Sequence, residues 1–144
     1  MKRNEALRIL DANFNRSREG LRVCEEVARF ILKDPALTKR LKKARHVISD
    51  CLKQLNVSYV ELVAARNVRT DFGKKPSKLE NSRKNVLDLF AANIERSKES
   101  LRVLEETLKF IDIKTSVQIK EIRFNVYAIE KKSLPKLEAL RHNR

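Results

Sequence analysis

The chain contains the same segment twice. Setting residues 12–31, ANFNRSREGLRVCEEVARFI, above residues 92–111, ANIERSKESLRVLEETLKFI, gives 12 identities in 20 positions at a constant offset of 80. A repeat of this kind implies one structural unit built twice, with the copies burying apolar surface together. In the first copy Leu7, Leu10, Phe14, Ser17, Leu21, Cys24, Ala28 and Ile31 follow one another at alternating spacings of three and four. Leu87, Phe90, Ile94, Ser97, Leu101, Leu104, Leu108 and Ile111 do the same in the second. That is the period of a long amphipathic helix.

Each repeat helix leads toward a second one. Asp34-Pro35 reads as an N-cap followed by a proline at the first helical position, and Thr115-x-x-Gln118 reads as a capping box in the matching place. The helices that follow align Arg45 with Arg123 at an offset of 78. The expected fold is all-α: a helical bundle of two pseudo-twofold-related long helical hairpins joined by a central loop. It is expected to be a single domain, 1–144, with repeat copies at 7–55 and 87–134. Gly73 and Pro76 interrupt helix in the connecting segment 64–80, and Ser77-x-x-Glu80 or Asn81 is the expected start of the next helix. A connection this long is either a plain linker or a functional loop.

Composition narrows the chemistry. Lys and Arg number 33 against 19 Asp and Glu, a formal net charge of +14. Residues 33–45, 66–84 and 131–144 carry +5, +5 and +4, so the repeat helices are close to neutral. Such clusters suit a polyanion, nucleotide phosphates or nucleic acid, or form a solvated basic surface. Aromatic residues make up only 6%, with Phe14, Phe30, Phe90 and Phe110 at core-like positions, which argues against nucleic acid held on a stacking platform. Two glycines exclude a glycine-rich phosphate loop. Cys24 and Cys51 form no CxxC, and His46 and His142 share no ligand spacing, so disulfide and zinc scaffolds are not expected. No run is apolar enough for a membrane span, and the N-terminal residues lack a signal-peptide pattern, so a cytoplasmic protein is expected.

Polar residues are repeated too: Asn13/Asn93, Arg16/Arg96, Ser17/Ser97, Glu19/Glu99, Arg22/Arg102, Glu25/Glu105 and Glu26/Glu106. Glu19 to Arg22 is i,i+3 and Arg22 to Glu26 is i,i+4, a ladder that stabilises a helix by roughly 0.2 to 0.5 kcal/mol per pair. Asn13 and Arg16 instead share a stripe with Gly20, Val23, Val27 and Phe30 beside the main apolar face. Asn is a poor helix-interior residue, so its presence in both copies points to a hydrogen-bonding task, either bracing between halves or ligand binding. Gly20 and Ser100, both small, allow a close approach.

The run RILDANFNRSREGLRVCEEVARFIL, then AARNVRTDFG, then AANIERSKESLRVLEE and IRFNVYAIE resembles a known family over about residues 8–131. It is similar to the small helical hydroxymethylpyrimidine-phosphate kinase of thiamine biosynthesis, often found fused in front of thiamine-phosphate synthase. The family loop R-D-x-x-x-D-x-G corresponds to Arg66, Asn67, Asp71 and Gly73, with Asn67 in place of a carboxylate. The chain ends where a synthase barrel would begin, so synthase activity is not expected. The resemblance implies transfer of the ATP γ-phosphoryl group to 4-amino-5-hydroxymethyl-2-methylpyrimidine phosphate, with ATP and Mg²⁺ as cofactors and thiamine-phosphate synthase as functional partner.

On that resemblance the site forms where the central loop folds over the repeat helices. Arg66, Asp71, Arg16 and Arg96 are the expected catalytic residues. Asn13, Asn93, Arg22, Arg69, Arg45, Arg123 and Gly73 are expected to bind substrate, with Asn13 or Asn93 reading the aminopyrimidine edge. Asp71, helped by Glu26 or Glu106, is the expected Mg²⁺ ligand. The pseudo-symmetry leaves open which copy is catalytic, whether the site spans both, and whether the protein is a homodimer. Two other readings stand beside the kinase: a basic helical adaptor for RNA or an acidic protein, and a purely structural helical dimer.

Overall fold

The computed structural model describes residues 1–74 and 82–142. Among them four long helices, α1 (Arg3–Val27), α2 (Pro35–Gln54), α4 (Val86–Leu108) and α5 (Ile113–His142), form an all-α bundle, with a short α3 (Tyr59–Ala64) after the first hairpin. The apolar positions at spacings of three and four point inward. Leu10, Phe14 and Leu21 on α1, Leu41 and Ile48 on α2, Phe90, Ile94 and Leu101 on α4, and Ile119 and Ile129 on α5 have no exposed surface. Helix α1 packs on α4 and α2, and α5 packs on α4 and α2, so the two hairpins close a ring of four.

The close contact is at the repeat helices. Ser17 and Ser97 meet at the crossing of α1 and α4, where Ser97 Oγ donates to the Ser17 carbonyl at 3.0 Å. Three residues along α1, Gly20 lies against the backbone of Asn93. A Cβ at Gly20 would stand 2.5 Å from the Asn93 carbonyl oxygen, with Ser97 Oγ closer still. Residue 20 therefore meets residue 93 while 17 meets 97, so the two helices run past each other in opposite directions about the pseudo-twofold. At the other end Ser100 folds its hydroxyl back onto the Arg96 carbonyl, 2.8 Å away, which makes it a compact counterpart to Gly20.

Several helix boundaries differ from those read in the sequence. Asp34 caps α2 as expected, accepting from the Leu37 amide at 3.0 Å, with Pro35 at the first helical position. The cap of α5, however, is Asp112, which accepts from the Thr115 amide at 3.3 Å and from its hydroxyl at 3.0 Å. A carboxylate spanning both groups leaves Thr115 inside the helix. Helix α4 starts after Asn85, which accepts from the Asp88 amide at 2.8 Å. The expected starts at Ser77-x-x-Glu80 and Asn81, together with Pro76, lie outside the described residues. Helix α3 was not anticipated, though Ser58-x-x-Glu61 is its reciprocal capping box.

Phe30 and Phe110 are not core residues. Past Val27 the first helix widens into a π turn, Ala28–Leu32, and ends at Lys33 in the left-handed region, φ 52°. The wider turn rotates Phe30 to the surface, where the Arg29 guanidinium stacks 4.7 Å above its ring. Phe110 lies past the end of α4 and is 77% exposed. The basic C-terminal stretch also differs from a free tail, since α5 continues through Pro135, buries Ser133 and Leu137, and pairs Lys136 with Asp34. None of the described helices is long and apolar enough to cross a membrane.

Candidate functional site

The packing of α1 against α4 leaves a groove of about 570 Å³, lined from both repeats and from no residue of α2 or α5. Arg16 and Arg96 line it, as do Glu19 and Glu99, so two pairs of repeat counterparts face one space. Asn13, Ser100 and Val103 line it as well, as does Gly73 of the central loop. The loop follows α3, and its Gly73 brings to the groove a residue from outside the two repeat helices.

Asn13 is 6% exposed, and its Nδ2 donates to the Ile9 carbonyl at 2.8 Å. One amide hydrogen is thus held by the helix itself, which leaves Oδ1 as a free acceptor on a residue that lines the groove. Asn93 makes the equivalent bond to Leu89, also 2.8 Å, but does not line the groove. Its backbone is instead the surface on which Gly20 packs. The repeated asparagine thus lines the groove in one copy, while in the other its backbone meets Gly20.

A second cavity, about 180 Å³, lies beside α1 where the loop crosses it. Arg8, Asp11, Arg66, Asn67 and Asp71 line it. Arg66 donates to Asp11 through both Nε, at 2.6 Å, and Nη2, at 2.9 Å. That bond holds the guanidinium pKa above its ordinary value. Asp71 Oδ1 accepts from the Gly73 amide at 2.9 Å, and Asn67 Oδ1 accepts from the Thr70 amide at 3.3 Å. Both are loop-shaping bonds of Asx type, and the Asn67 bond needs an acceptor oxygen that either Asn or Asp supplies.

The other expected residues lie elsewhere. Arg45 and Arg123 line neither cavity; each crosses its own hairpin to a buried glutamate, Arg45 to Glu25 at 3.3 Å and Arg123 to Glu105 at 3.2 Å. Arg22 bonds Glu25 and Glu26, at 3.2 and 3.1 Å, and Arg102 repeats the pattern with Glu105 and Glu106. Glu19 takes no part in that ladder and faces the groove. Arg69 is exposed and offers its carbonyl to Lys74 Nζ at 3.2 Å. Glu26 and Asp71 cannot share a metal ion: Glu26 is 15 residues along α1 from Asp11, about 22 Å at 1.5 Å per residue. Glu106 is held by Arg102 and Lys109, and its pKa is lowered, chiefly by the Lys109 hydrogen bond.

Among the described residues no three His, Cys, Asp or Glu side chains converge as a metal cage. The carboxylates that line the cavities, Asp71 in one and Glu19 and Glu99 in the other, suit an ion that brings most of its own oxygen ligands, as Mg²⁺ does with a nucleotide.

Asp11, Arg8 and the groove-facing Glu19 and Glu99 were missed in the sequence. A signal was present for the first two: positions 91 and 88 of the second copy hold Ala91 and Asp88, so Asp11 and Arg8 are features of one half only.

The sequence pattern of the ThiD2 family matches residues 8–132. The thiamine-phosphate synthase of Rhodopirellula baltica is 42% identical over 123 residues, covering 85% of this chain and 32% of that protein. Those of Synechocystis sp. and Thermosynechococcus vestitus are 39% and 40% identical over 124 residues, covering 85% of this chain and 34% of each relative. The chain thus spans about one third of the length of these curated relatives. No solved structure matches it.

Proposed function

This chain belongs to the ThiD2 family, and from that membership we propose that it serves thiamine biosynthesis as a phosphotransferase. In this reading it moves the γ-phosphoryl group of ATP onto the phosphate of 4-amino-5-hydroxymethyl-2-methylpyrimidine phosphate. The observation that carries the reading is the groove between α1 and α4, into which both repeats contribute an arginine and a glutamate.

The chemistry suits what the groove offers. The attacking group is a phosphate oxygen, already ionised near neutral pH, so the transfer needs positioning and charge neutralisation and little help from a base. No histidine lines either cavity. Two phosphate-bearing substrates must approach each other against their mutual repulsion, and Arg16 and Arg96 supply one guanidinium from each side. Asn13 Oδ1 is an acceptor suited to the exocyclic amino group of an aminopyrimidine. A magnesium ion carried by ATP would neutralise phosphate charge, with Asp71 and the groove glutamates as the available carboxylates. Of the central loop, Gly73 lines the groove and Asp71 the neighbouring cavity.

The test is direct. Purified chain, Mg-ATP and the pyrimidine monophosphate are incubated together and the products followed by phosphorus NMR. A new pyrimidine diphosphate doublet with ADP is expected. Folded protein that yields neither overturns the kinase.

A further inference from the structure

We propose that Asp11 is a positioning residue, holding Arg66 by one edge so that the other end of its guanidinium receives a phosphate group in the small cavity shared with Arg8. The inference rests on the phosphotransferase reading for its biological use, but not for its geometry.

Asp11 is a carboxylate beside the apolar stripe of α1, between Leu10 and Phe14, and it is 8% exposed. Nothing in the packing of the bundle calls for it: at the equivalent place in the second repeat the residue is Ala91. Its partners identify its task. Both oxygens bond Arg66, and Oδ1 also accepts from Asn15 Nδ2 at 3.2 Å. Asn15 is in turn held by Arg18, which reaches Ser49 on α2 at 3.3 Å. A chain of hydrogen bonds anchored in two helices thus ends on one loop arginine.

A guanidinium has two edges that bind an oxyanion side by side. Asp11 occupies the edge made by Nε and Nη2. The end made by Nη1 and the second Nη2 hydrogen makes no bond among the described residues, and Arg66 lines the 180 Å³ cavity. Arg8, one turn before Asp11, lines it too and has no ion-pair partner among the described residues. Two cationic side chains thus approach the same small volume, one of them fixed at about the orientation that a planar phosphate contact requires. The ligand class is a phosphate ester or a short polyphosphate.

The sign of one substitution separates positioning from simple charge. Removing a carboxylate beside an anion site raises anion affinity if only Coulomb attraction matters. If Asp11 orients Arg66, its removal lowers affinity. Pyrophosphate binding is measured by calorimetry on the full chain and on Arg66→Gln, Asp11→Asn, the double variant and Arg66→Lys. Arg66→Gln is expected to weaken binding about tenfold, the scale of a lost charged hydrogen-bond pair. Asp11→Asn is expected to weaken it several-fold, with no further loss in the Arg66→Gln background. Arg66→Lys, on an exposed side chain that leaves the fold alone, is expected to resemble Arg66→Gln because an ammonium has no second edge.

Wild-type protein that does not bind pyrophosphate, a folded Asp11→Asn that binds as well as or better than wild type, or an Arg66→Lys that binds normally each overturns the assignment. Turnover of the pyrimidine monophosphate is read separately. A chain that binds pyrophosphate through Arg66 and Asp11 but transfers no phosphoryl group overturns the kinase and leaves the positioning role standing.

Discussion

Ser97 donates its hydroxyl to the backbone carbonyl of Ser17 across 3.0 Å, and the two residues are each other's counterpart at the repeat offset of 80. The bond marks where the pseudo-twofold passes between α1 and α4, and it shows how that symmetry is broken. Ser17 turns its own hydroxyl to Phe14 on the same helix, 2.9 Å away, so the contact is made once and in one direction. The groove lined by both repeat helices has the same character: matching arginines and glutamates on its two walls, with Gly73 of one loop beside them.

Gly20 packs directly on the backbone of α4. An alanine there would place its Cβ 2.5 Å from the Asn93 carbonyl oxygen, a backbone atom that cannot move without shifting α4. Gly20→Ala is expected to cost about 2 to 3 kcal/mol, outweighing the gain in helix propensity. Ser100→Ala, at the counterpart position, is expected to cost about 1 kcal/mol or less. Urea unfolding of both variants checks the contrast.

The hairpins are tied by buried glutamates. Glu105, its side chain 4% exposed, lies 2.9 Å from Arg102 and 3.2 Å from Arg123. Arg123→Met leaves it with only the half-exposed Arg102 and is expected to destabilise the protein by about 2 to 4 kcal/mol, while adding Glu105→Leu recovers much of the loss. Equal unfolding midpoints for wild type and Arg123→Met would show the pair to be dispensable.

Asp34 links the first turn of α2 to the last turns of α5. Its carboxyl is held below the usual aspartate range, first by the hydrogen bond from Lys136 and next by the Leu37 amide. The unfolded chain therefore binds a proton at Asp34 at higher pH than the folded protein does. Its contribution to stability is complete above about pH 4 and is lost as the pH falls through the lower folded value. Asp34→Asn should flatten the acid limb of a stability–pH profile and leave the slope above pH 5 unchanged.

Cys24 and Cys51 are both buried, and burial pushes their thiols up, Cys51 to about 11 and Cys24 further. Neither is a reactive thiolate near neutral pH. A thiol reagent is expected to titrate no sulfur in the native protein and two after unfolding. Fast labelling of native protein would contradict this burial.

Arg16 and Arg96 are exposed and line the groove, so replacing either should alter catalysis and not folding. Arg16→Gln and Arg96→Gln are each expected to lower kcat/KM by tenfold or more with an unchanged Tm. A fall in Tm with normal kcat/KM would instead favour a bracing role.

The fold was legible because its evidence is local. Spacings of three and four placed Leu10, Phe14, Ile94 and Leu101 in the core, and all four are fully buried. The 80-residue offset paired the halves. Where local signals competed, the reading slipped: Asp112 outbid Thr115 as a cap because one carboxylate spans both the amide and the hydroxyl of Thr115. Phe30 left the core because a π turn changes the angular step of the helix.

The groove was legible only in part. Asn13, Arg16 and Arg96 could be found because they repeat at polar positions beside an apolar stripe. Glu19 and Glu99 repeat as well, but spacing alone assigned them to a surface ladder. Arg45 and Arg123 look like free cations in sequence, because the glutamates that hold them lie 20 and 18 residues away on the neighbouring helix.

The sequence by itself determined that this chain is a doubled helical hairpin, because helical period and repetition are properties of residue order. Only the tertiary structure decided which arginines are held and which face open space. Ion pairing depends on the packing of helices far apart in the chain, and on where the central loop meets α1.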